Sequence, residues 1–94
     1  MNEYLIETNR HMGGIQKVYR FPNGYGASVI QHKGSYGYVK GQWELAVLDA
    51  DGSLDYTTEI TNDVIGYLND PEVDNLLRQI YRLWKKLKEV LWVL

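Results

Sequence analysis

The C-terminal stretch DPEVDNLLRQIYRLWKKLKEVLWVL, residues 70–94, decides the expected fold because it carries the longest regular pattern in the chain. Asp70 can cap a first helical turn, and Pro71 suits the first position inside a helix. Apolar residues then recur every three or four positions, a spacing that places one apolar stripe along an α-helix. The sequence therefore predicts an amphipathic helix over residues 70–94, with a stripe formed by Val73, Leu77, Ile80, Trp84, Leu87, Leu91 and Leu94.

A helix of this length would extend beyond the domain that it covers. About 24 residues at about 1.5 Å each give roughly 36 Å, whereas the rest of the chain would form a body about 28 Å across. The far end finishes in five consecutive apolar residues, 90–94, which a second copy, another protein, a membrane or a fold-back onto the sheet must cover. We therefore expect a dimer or higher oligomer, with an interface formed by Leu77, Ile80, Trp84, Leu87, Leu91, Trp92 and Leu94.

The same helix end is basic and amphipathic, as in helices that lie on a membrane surface. Its apolar stripe, however, continues without a break back to Val73, inside the domain. This continuity favours a contact with protein over a contact with lipid.

Upstream of the helix, the sequence predicts a four-stranded antiparallel meander. Pro22-Asn23-Gly24 and Asp49-Ala50-Asp51-Gly52 carry the residues that tight turns require, and strand-forming segments flank both. Residues 61–68 are expected to form a short helix before the long one. The predicted fold is thus an α+β domain over residues 15–94, with strands at residues 15–21, 25–31, 42–48 and 54–58.

Residues 1–14 are assigned to a separate N-terminal segment. Tyr4 to Thr8 suits a short edge strand, but His11-Met12 also resembles a cloning junction, in which case the first dozen residues would be vector-derived. Under either hypothesis, Gly13-Gly14 is expected to be a linker.

Composition excludes several classes of protein. The 94 residues are 45% hydrophobic, with three Trp, eight Tyr and one Phe, which is enough for a folded core. The absence of cysteine excludes disulfides, thiol nucleophiles and thiolate metal sites. There is no 18-residue apolar run, and the N-terminus lacks the basic and apolar blocks of a signal peptide. We therefore expect a cytoplasmic protein.

Catalytic residues are not apparent. Neither His11 nor His32 has a serine or carboxylate at the spacing of a triad or a metal site. The sequence therefore predicts a protein that is not an enzyme and that binds no cofactor or metal.

A glycine- and tyrosine-rich loop, residues 32–41, is the first candidate for recognition. Lysines neutralise phosphates and aromatic rings stack on bases, so this composition resembles that of single-stranded nucleic-acid binding loops. Two lysines are few, and an acidic segment follows at once, so a long hairpin loop with its rings on the sheet is the alternative. The candidate recognition residues are His32, Lys33, Tyr36, Tyr38 and Lys40.

The segment from residue 41 to residue 77 is strongly acidic and contains no Lys or Arg. Such a face can imitate the phosphates of DNA, although the favoured alternative is a solvated face with acidic residues at helix caps. A calcium-binding EF-hand starting at Asp49 would need Gly and Glu where the chain has Leu54 and Ile60. The candidate acidic face consists of Asp49, Asp51, Asp55, Glu59 and Asp63.

Three segments, residues 19–29, 43–48 and 60–68, resemble a group of small uncharacterised proteins encoded by bacteriophages. The resemblance covers about residues 15–70 and rests on structural motifs: a turn, a core strand and a helix cap. It implies an accessory protein in the host cytoplasm, and such proteins often bind and inhibit host factors, including defence proteins. It supplies no catalytic residue.

Two functional hypotheses follow. The first is an interaction protein that self-associates through its C-terminal helix and binds a host protein. The second is a small nucleic-acid-binding protein that uses loop 32–40 and the basic C-terminal tail.

Overall fold

Each strand of the sheet pairs with the next one along the chain, so the sheet is a simple antiparallel meander. In the computed structural model, which describes residues 1–61 and 63–83, five strands have the order β1-β2-β3-β4-β5, and one helix follows. The α+β class and the antiparallel sheet are thus as predicted. The elements are β1 (Leu5–His11), β2 (Gly14–Arg20), β3 (Gly26–Gln31), β4 (Trp43–Leu48), β5 (Ile65–Leu68) and α1 (Asp70–Tyr81), with short 3₁₀ turns at Asn2–Tyr4 and Tyr38–Lys40.

The central hairpin, β2–β3, forms where its turn residues predicted it. The N–H of Phe21 donates to the carbonyl of Tyr25 at 2.8 Å, and the N–H of Gly24 donates back to the carbonyl of Phe21 at 3.0 Å. Gly24 has a φ of 91°, a conformation that costs glycine little. β4 then pairs with β3, also as predicted.

The core lies between one face of the sheet and α1. Tyr19, Ala27 and Val47 stand side by side across three strands, since Ala27 is paired with both of the others. Alternation along β4 places Leu45 on the same face as Val47, and both are fully buried. The helix closes this core with three buried residues at helical spacing, Val73, Leu77 and Ile80.

Helix α1 begins as its sequence predicted, with one difference in the capping residue. Asn69, rather than Asp70, is the N-cap: its side chain accepts from the N–H of Glu72 at 3.0 Å, and the carboxylate of Glu72 accepts from the N–H of Asn69 at 2.9 Å. Asp70 instead accepts a hydrogen bond from the indole Nε1 of Trp43 at 2.9 Å. This bond joins β4 to the start of the helix.

The prediction of one unbroken helix to Leu94 is wrong, because α1 ends at Tyr81 and Arg82 is its C-cap. The side-chain amide of Asn23 donates to the carbonyls of Ile80 at 2.8 Å, Tyr81 at 3.1 Å and Leu83 at 3.0 Å. A 12-residue helix is about 18 Å long, so the overhang argument for an oligomer no longer applies. Of the predicted interface, Trp84, Leu87, Leu91, Trp92 and Leu94 lie outside the described residues, whereas Leu77 and Ile80 pack inside their own chain.

Two predictions between Gly52 and Asp70 are also wrong. Residues 54–58 do not form a strand; Leu54 makes only an isolated bridge to Leu48. Residues 61–68 do not form a helix, since Ile65–Leu68 is strand β5, paired with β4 through Trp43 and Leu45. A run of four residues has weak helical preference of its own, and the exposed edge of β4 offers it backbone partners.

The N-terminal segment belongs to the sheet. β1 pairs with β2, and the tight turn between them is formed by Met12 and Gly13 rather than by a linker. Both residues have positive φ, 49° and 80°, as a type I′ hairpin turn requires. The ring of Tyr4 lies 5.5 Å from that of Phe21 and 5.3 Å from that of Tyr81, which ties the segment to the core and to α1.

Within residues 1–61 and 63–83, no helix combines the length and the apolar character that crossing a bilayer would need.

Candidate functional site

The loop between β3 and β4 is anchored at its base by a hydrogen-bonded turn. The N–H of His32 donates to the hydroxyl of Ser35 at 3.0 Å, and that hydroxyl donates to the carbonyl of His32 at 2.8 Å. The imidazole Nδ1 of His32 accepts from the N–H of Gly34 at 3.0 Å. His32 and Ser35 are both buried, so His32, one of the candidate recognition residues, has a structural role instead.

The second half of the loop is equally well defined. Gly37 and Gly41 flank the 3₁₀ turn at Tyr38–Lys40, both with positive φ of 84° and 69°. The N–H of Gln42 donates to the carbonyl of Gly37 at 3.0 Å, and the side chain of Gln31 donates to the carbonyl of Gly41 at 2.7 Å. The loop therefore presents its outer side chains from a fixed backbone.

One of those side chains forms an exposed aromatic stack with a residue from β5. The rings of Tyr36 and Tyr67 lie 5.7 Å apart at an interplanar angle of 28°, and the two residues are 54% and 61% exposed. Gly66 makes this approach possible, since a Cβ there would come within 2.5 Å of the Cβ of Tyr36. Tyr67 has a φ of 60°, which costs a residue with a side chain about 1–2 kcal/mol.

A shallow cleft of about 230 Å³ lies beside the stack. The cleft is lined by Lys33, Tyr38, Val39, Lys40 and Tyr67, together with Ser35 and Gly37. Val39 is 97% exposed. The structure thus brings together four of the five candidate recognition residues and adds two more. We call the exposed group of Tyr36, Tyr38, Val39 and Tyr67 the tyrosine patch.

Tyr67 was missed by sequence analysis because the segment around it was assigned to a helix. Its position beside Tyr36 depends on the pairing of β5 with β4, a contact between segments distant in sequence. A glycine directly before an aromatic residue, as in Gly66-Tyr67, is the only local signal of a close approach.

Behind the loop lies a small group of ionisable residues. Burial raises the pKa of the Glu44 carboxyl; the charge of Asp63 raises it further, while His32 opposes the shift. The rings of His11 and His32 meet edge to face at 5.0 Å. In the part of the chain that the structure describes, no group of three or more His, Asp or Glu side chains is arranged to hold a metal ion.

The candidate acidic face is largely used for turn closure. The carboxylate of Asp49 accepts from the N–H groups of Asp51 at 2.9 Å and Ser53 at 3.0 Å. The carboxylate of Asp63 accepts from the N–H of Val64 at 2.7 Å. Asp49, Asp51 and Asp55 line one cleft of about 270 Å³, whereas Glu59 is not part of it.

Asp55 closes a turn in the same way: its carboxylate accepts from the N–H of Thr57 at 2.8 Å and from its hydroxyl at 2.5 Å. Three of the five predicted acidic residues therefore hold local backbone or side-chain donors. The other two, Asp51 and Glu59, are exposed.

Comparisons of this chain with protein-family models, with curated protein sequences and with solved structures give no match.

Proposed function

We propose that this protein is a non-catalytic interaction protein, and that the tyrosine patch is its contact surface for another protein. The observation that carries the proposal is the exposed stack of Tyr36 on Tyr67. Rings that are more than half exposed contribute little to the core, yet the chain accepts a left-handed backbone at Tyr67 to place them there.

The composition of the patch suits a protein partner. Tyrosine is enriched among the residues that dominate binding energy, because its ring gives a large contact area and loses few rotamers on binding. Val39 adds exposed apolar surface, and Lys33 and Lys40 line the same cleft as Tyr38 and Tyr67. A complementary partner surface would combine apolar side chains with acidic groups.

The resemblance to bacteriophage proteins supports a role in the host cytoplasm, where the patch would bind and inhibit a host factor. Self-association through the C-terminal residues remains part of the proposal and rests on the apolar run at 90–94. Imitation of nucleic acid by the acidic segment is weaker, because Asp49, Asp55 and Asp63 already accept local hydrogen bonds.

A peptide-display library selected on the purified protein tests the proposal. Enriched peptides should bind the parent and lose roughly 30-fold or more in affinity for Tyr36→Ala, the effect of removing a residue worth about 2 kcal/mol. Tyr56→Ala is the matched control, since Tyr56 is exposed and lies outside the patch. Peptides that bind the parent and Tyr36→Ala equally would contradict the assignment of the surface.

Single-stranded nucleic acid is the second candidate ligand. Lys33 and Lys40 line the same cleft as Tyr38 and Tyr67, so cations and rings are placed together as such binding requires. A fluorescent oligothymidine should then bind with an affinity that falls as salt rises, and Lys33→Ala with Lys40→Ala should reduce both affinity and salt dependence. Anisotropy that does not change at low salt would exclude this candidate.

A further inference from the structure

The two edges of the sheet differ in how well they could accept another strand. At one edge, β5 has four residues, and the positive φ of Tyr67 interrupts its extended backbone. At the other edge, β1 has seven residues, of which the central five are exposed. It pairs regularly with β2 from Glu7 to His11, and among the described residues no strand covers its outer side. An open edge of this kind is a template for strand addition.

We propose that the occupant of this edge is a second copy of the chain, with the two β1 strands antiparallel about a two-fold axis at Asn9. Residues directly opposite each other in an antiparallel pair point to the same face of the sheet. Only registers that place Asn9 opposite Asn9, or Thr8 opposite Thr8, satisfy this rule near the centre of the strand. The dimer would form one sheet that continues from one copy into the other.

Side-chain chemistry favours the register centred on Asn9. It places Glu7 opposite the second copy's His11, and Thr8 opposite the second copy's Arg10, so like charges never face each other. Centring on Thr8 would instead place Arg10 opposite Ile6, which lies in the irregular pairing between Leu5 and Glu7.

The Asn9 side chain can make a symmetric contact with Asn9 of the second copy. Its side-chain amide donates to the carboxylate of Glu7 at 2.9 Å and to the side-chain carbonyl of Gln16 at 3.3 Å. Its own Oδ1 accepts no hydrogen bond from the described residues, so it can accept one from the facing copy. The pair of Asn9 side chains would extend the row of polar contacts that runs through Gln16 to Ser28 at 3.0 Å.

The dimer is expected to be weak. Regular pairing covers only Glu7 to His11, because the irregularity at Ile6 ends the flat part of the edge. An interface of that size is in the range of the small interfaces that are typical of transient association. Sedimentation at submillimolar concentration should show a reversible monomer–dimer equilibrium.

Single cysteine variants test the register, because the chain has no cysteine of its own. The Cα atoms of directly opposite residues lie about 4.5–5.5 Å apart, within the range of about 4.4–6.8 Å that a disulfide spans. Under mild oxidation Asn9→Cys should therefore form a covalent dimer at least tenfold faster than Gln79→Cys, a control on the exposed face of α1. Thr8→Cys should remain near the control rate, because Thr8 does not face itself in this register.

Faster crosslinking at Thr8→Cys than at Asn9→Cys would overturn the register, and equal rates at all three positions would overturn the edge contact. The assay is repeated with Leu87 and Leu91 changed to Asp, which removes association through the C-terminal residues. Rapid crosslinking of Asn9→Cys should persist there, and its loss would assign self-association to the C-terminal residues instead. Neither result depends on the tyrosine patch, so the outcome leaves the proposed function to its own test.

Discussion

Glu44 is a residue whose surroundings change unfavourably on folding. It stands in the central part of the sheet on β4, and burial is the main cause of its raised pKa. A carboxyl with a raised folded-state pKa stabilises the fold below its unfolded pKa and loses that contribution as pH rises through the folded value. At neutral pH the charge on Glu44 therefore opposes folding.

Glu44→Gln should raise the melting temperature at pH 7, because the amide has no charge to desolvate. The gain should shrink as pH falls through the raised folded-state pKa towards the ordinary glutamate value of 4.5, and it should be absent well below 4.5, where the parent carboxyl is protonated in both states. Thermal unfolding followed from pH 3 to pH 8 measures this. Glu59→Gln, at an exposed position, is the control and should show no such difference. A lower melting temperature for Glu44→Gln at pH 7 would mean that the Glu44 carboxylate makes a stabilising contact in the folded state. His32 would then be the expected partner, because its charge opposes the rise in the pKa of Glu44.

At the scale of elements, the end of α1 depends on a side chain from a distant turn. The last carbonyls of a helix lack intrahelical donors. The side-chain amide of Asn23, in the β2–β3 turn, shares its two N–H groups among the carbonyls of Ile80, Tyr81 and, just past the helix, Leu83. The Oδ1 of the same side chain accepts from the N–H of Tyr25 at 3.0 Å, which shapes the turn. One residue thus fastens the hairpin to the helix.

Asn23→Ala should lower the free energy of unfolding by about 1–3 kcal/mol, since the carbonyls of Ile80, Tyr81 and Leu83 lose their bonds to the Asn23 amide. Asn23→Asp keeps the acceptor for Tyr25 but loses the donors and adds a negative charge at the negative end of the helix, so it should be worse. Denaturant unfolding gives both values. Asn75→Ala, on the exposed face of α1, serves as the control and should be neutral or slightly stabilising. An Asn23→Ala variant as stable as the parent would show that solvent replaces these bonds at no cost.

For the molecule as a whole, an apolar core and turn hydrogen bonds hold the described part of the fold together. The acidic turn after β4 is where a cation would be expected first, yet the carboxylate of Asp49 already accepts two backbone N–H groups. Both N–H groups donate to Oδ1, so calcium binding through that oxygen would compete with them.

Neither a chelator nor millimolar calcium should therefore change the melting temperature of the protein. Differential scanning calorimetry of the parent in each condition is the measurement, and an Asp51→Asn variant shows whether any shift belongs to this turn. A rise of several degrees with calcium, absent in Asp51→Asn, would establish a cation site that the geometry does not indicate. The melting temperature is a sensitive measure of binding, since a ligand at about 100 times its dissociation constant adds about 2.7 kcal/mol to the free energy of unfolding.

The sequence by itself determined the elements whose signals are local. Pro22-Asn23-Gly24 set the central hairpin, the alternation of Trp43, Leu45 and Val47 set β4, and the spacing of Val73, Leu77 and Ile80 set the buried face of α1. Each signal lies within one or two turns of backbone, where residue geometry and apolar periodicity dominate the energy. The connection between β3 and β4 was predicted for the same reason.

Tertiary structure decided where elements end and which surfaces they share. α1 stops at Tyr81, where Asn23, 57 residues before Ile80, meets its carbonyls. Ile65–Leu68 became a strand because the edge of β4 was open to it, and that pairing brought Tyr67 onto Tyr36. These outcomes depend on contacts between segments far apart in the chain, whose energies no local pattern contains.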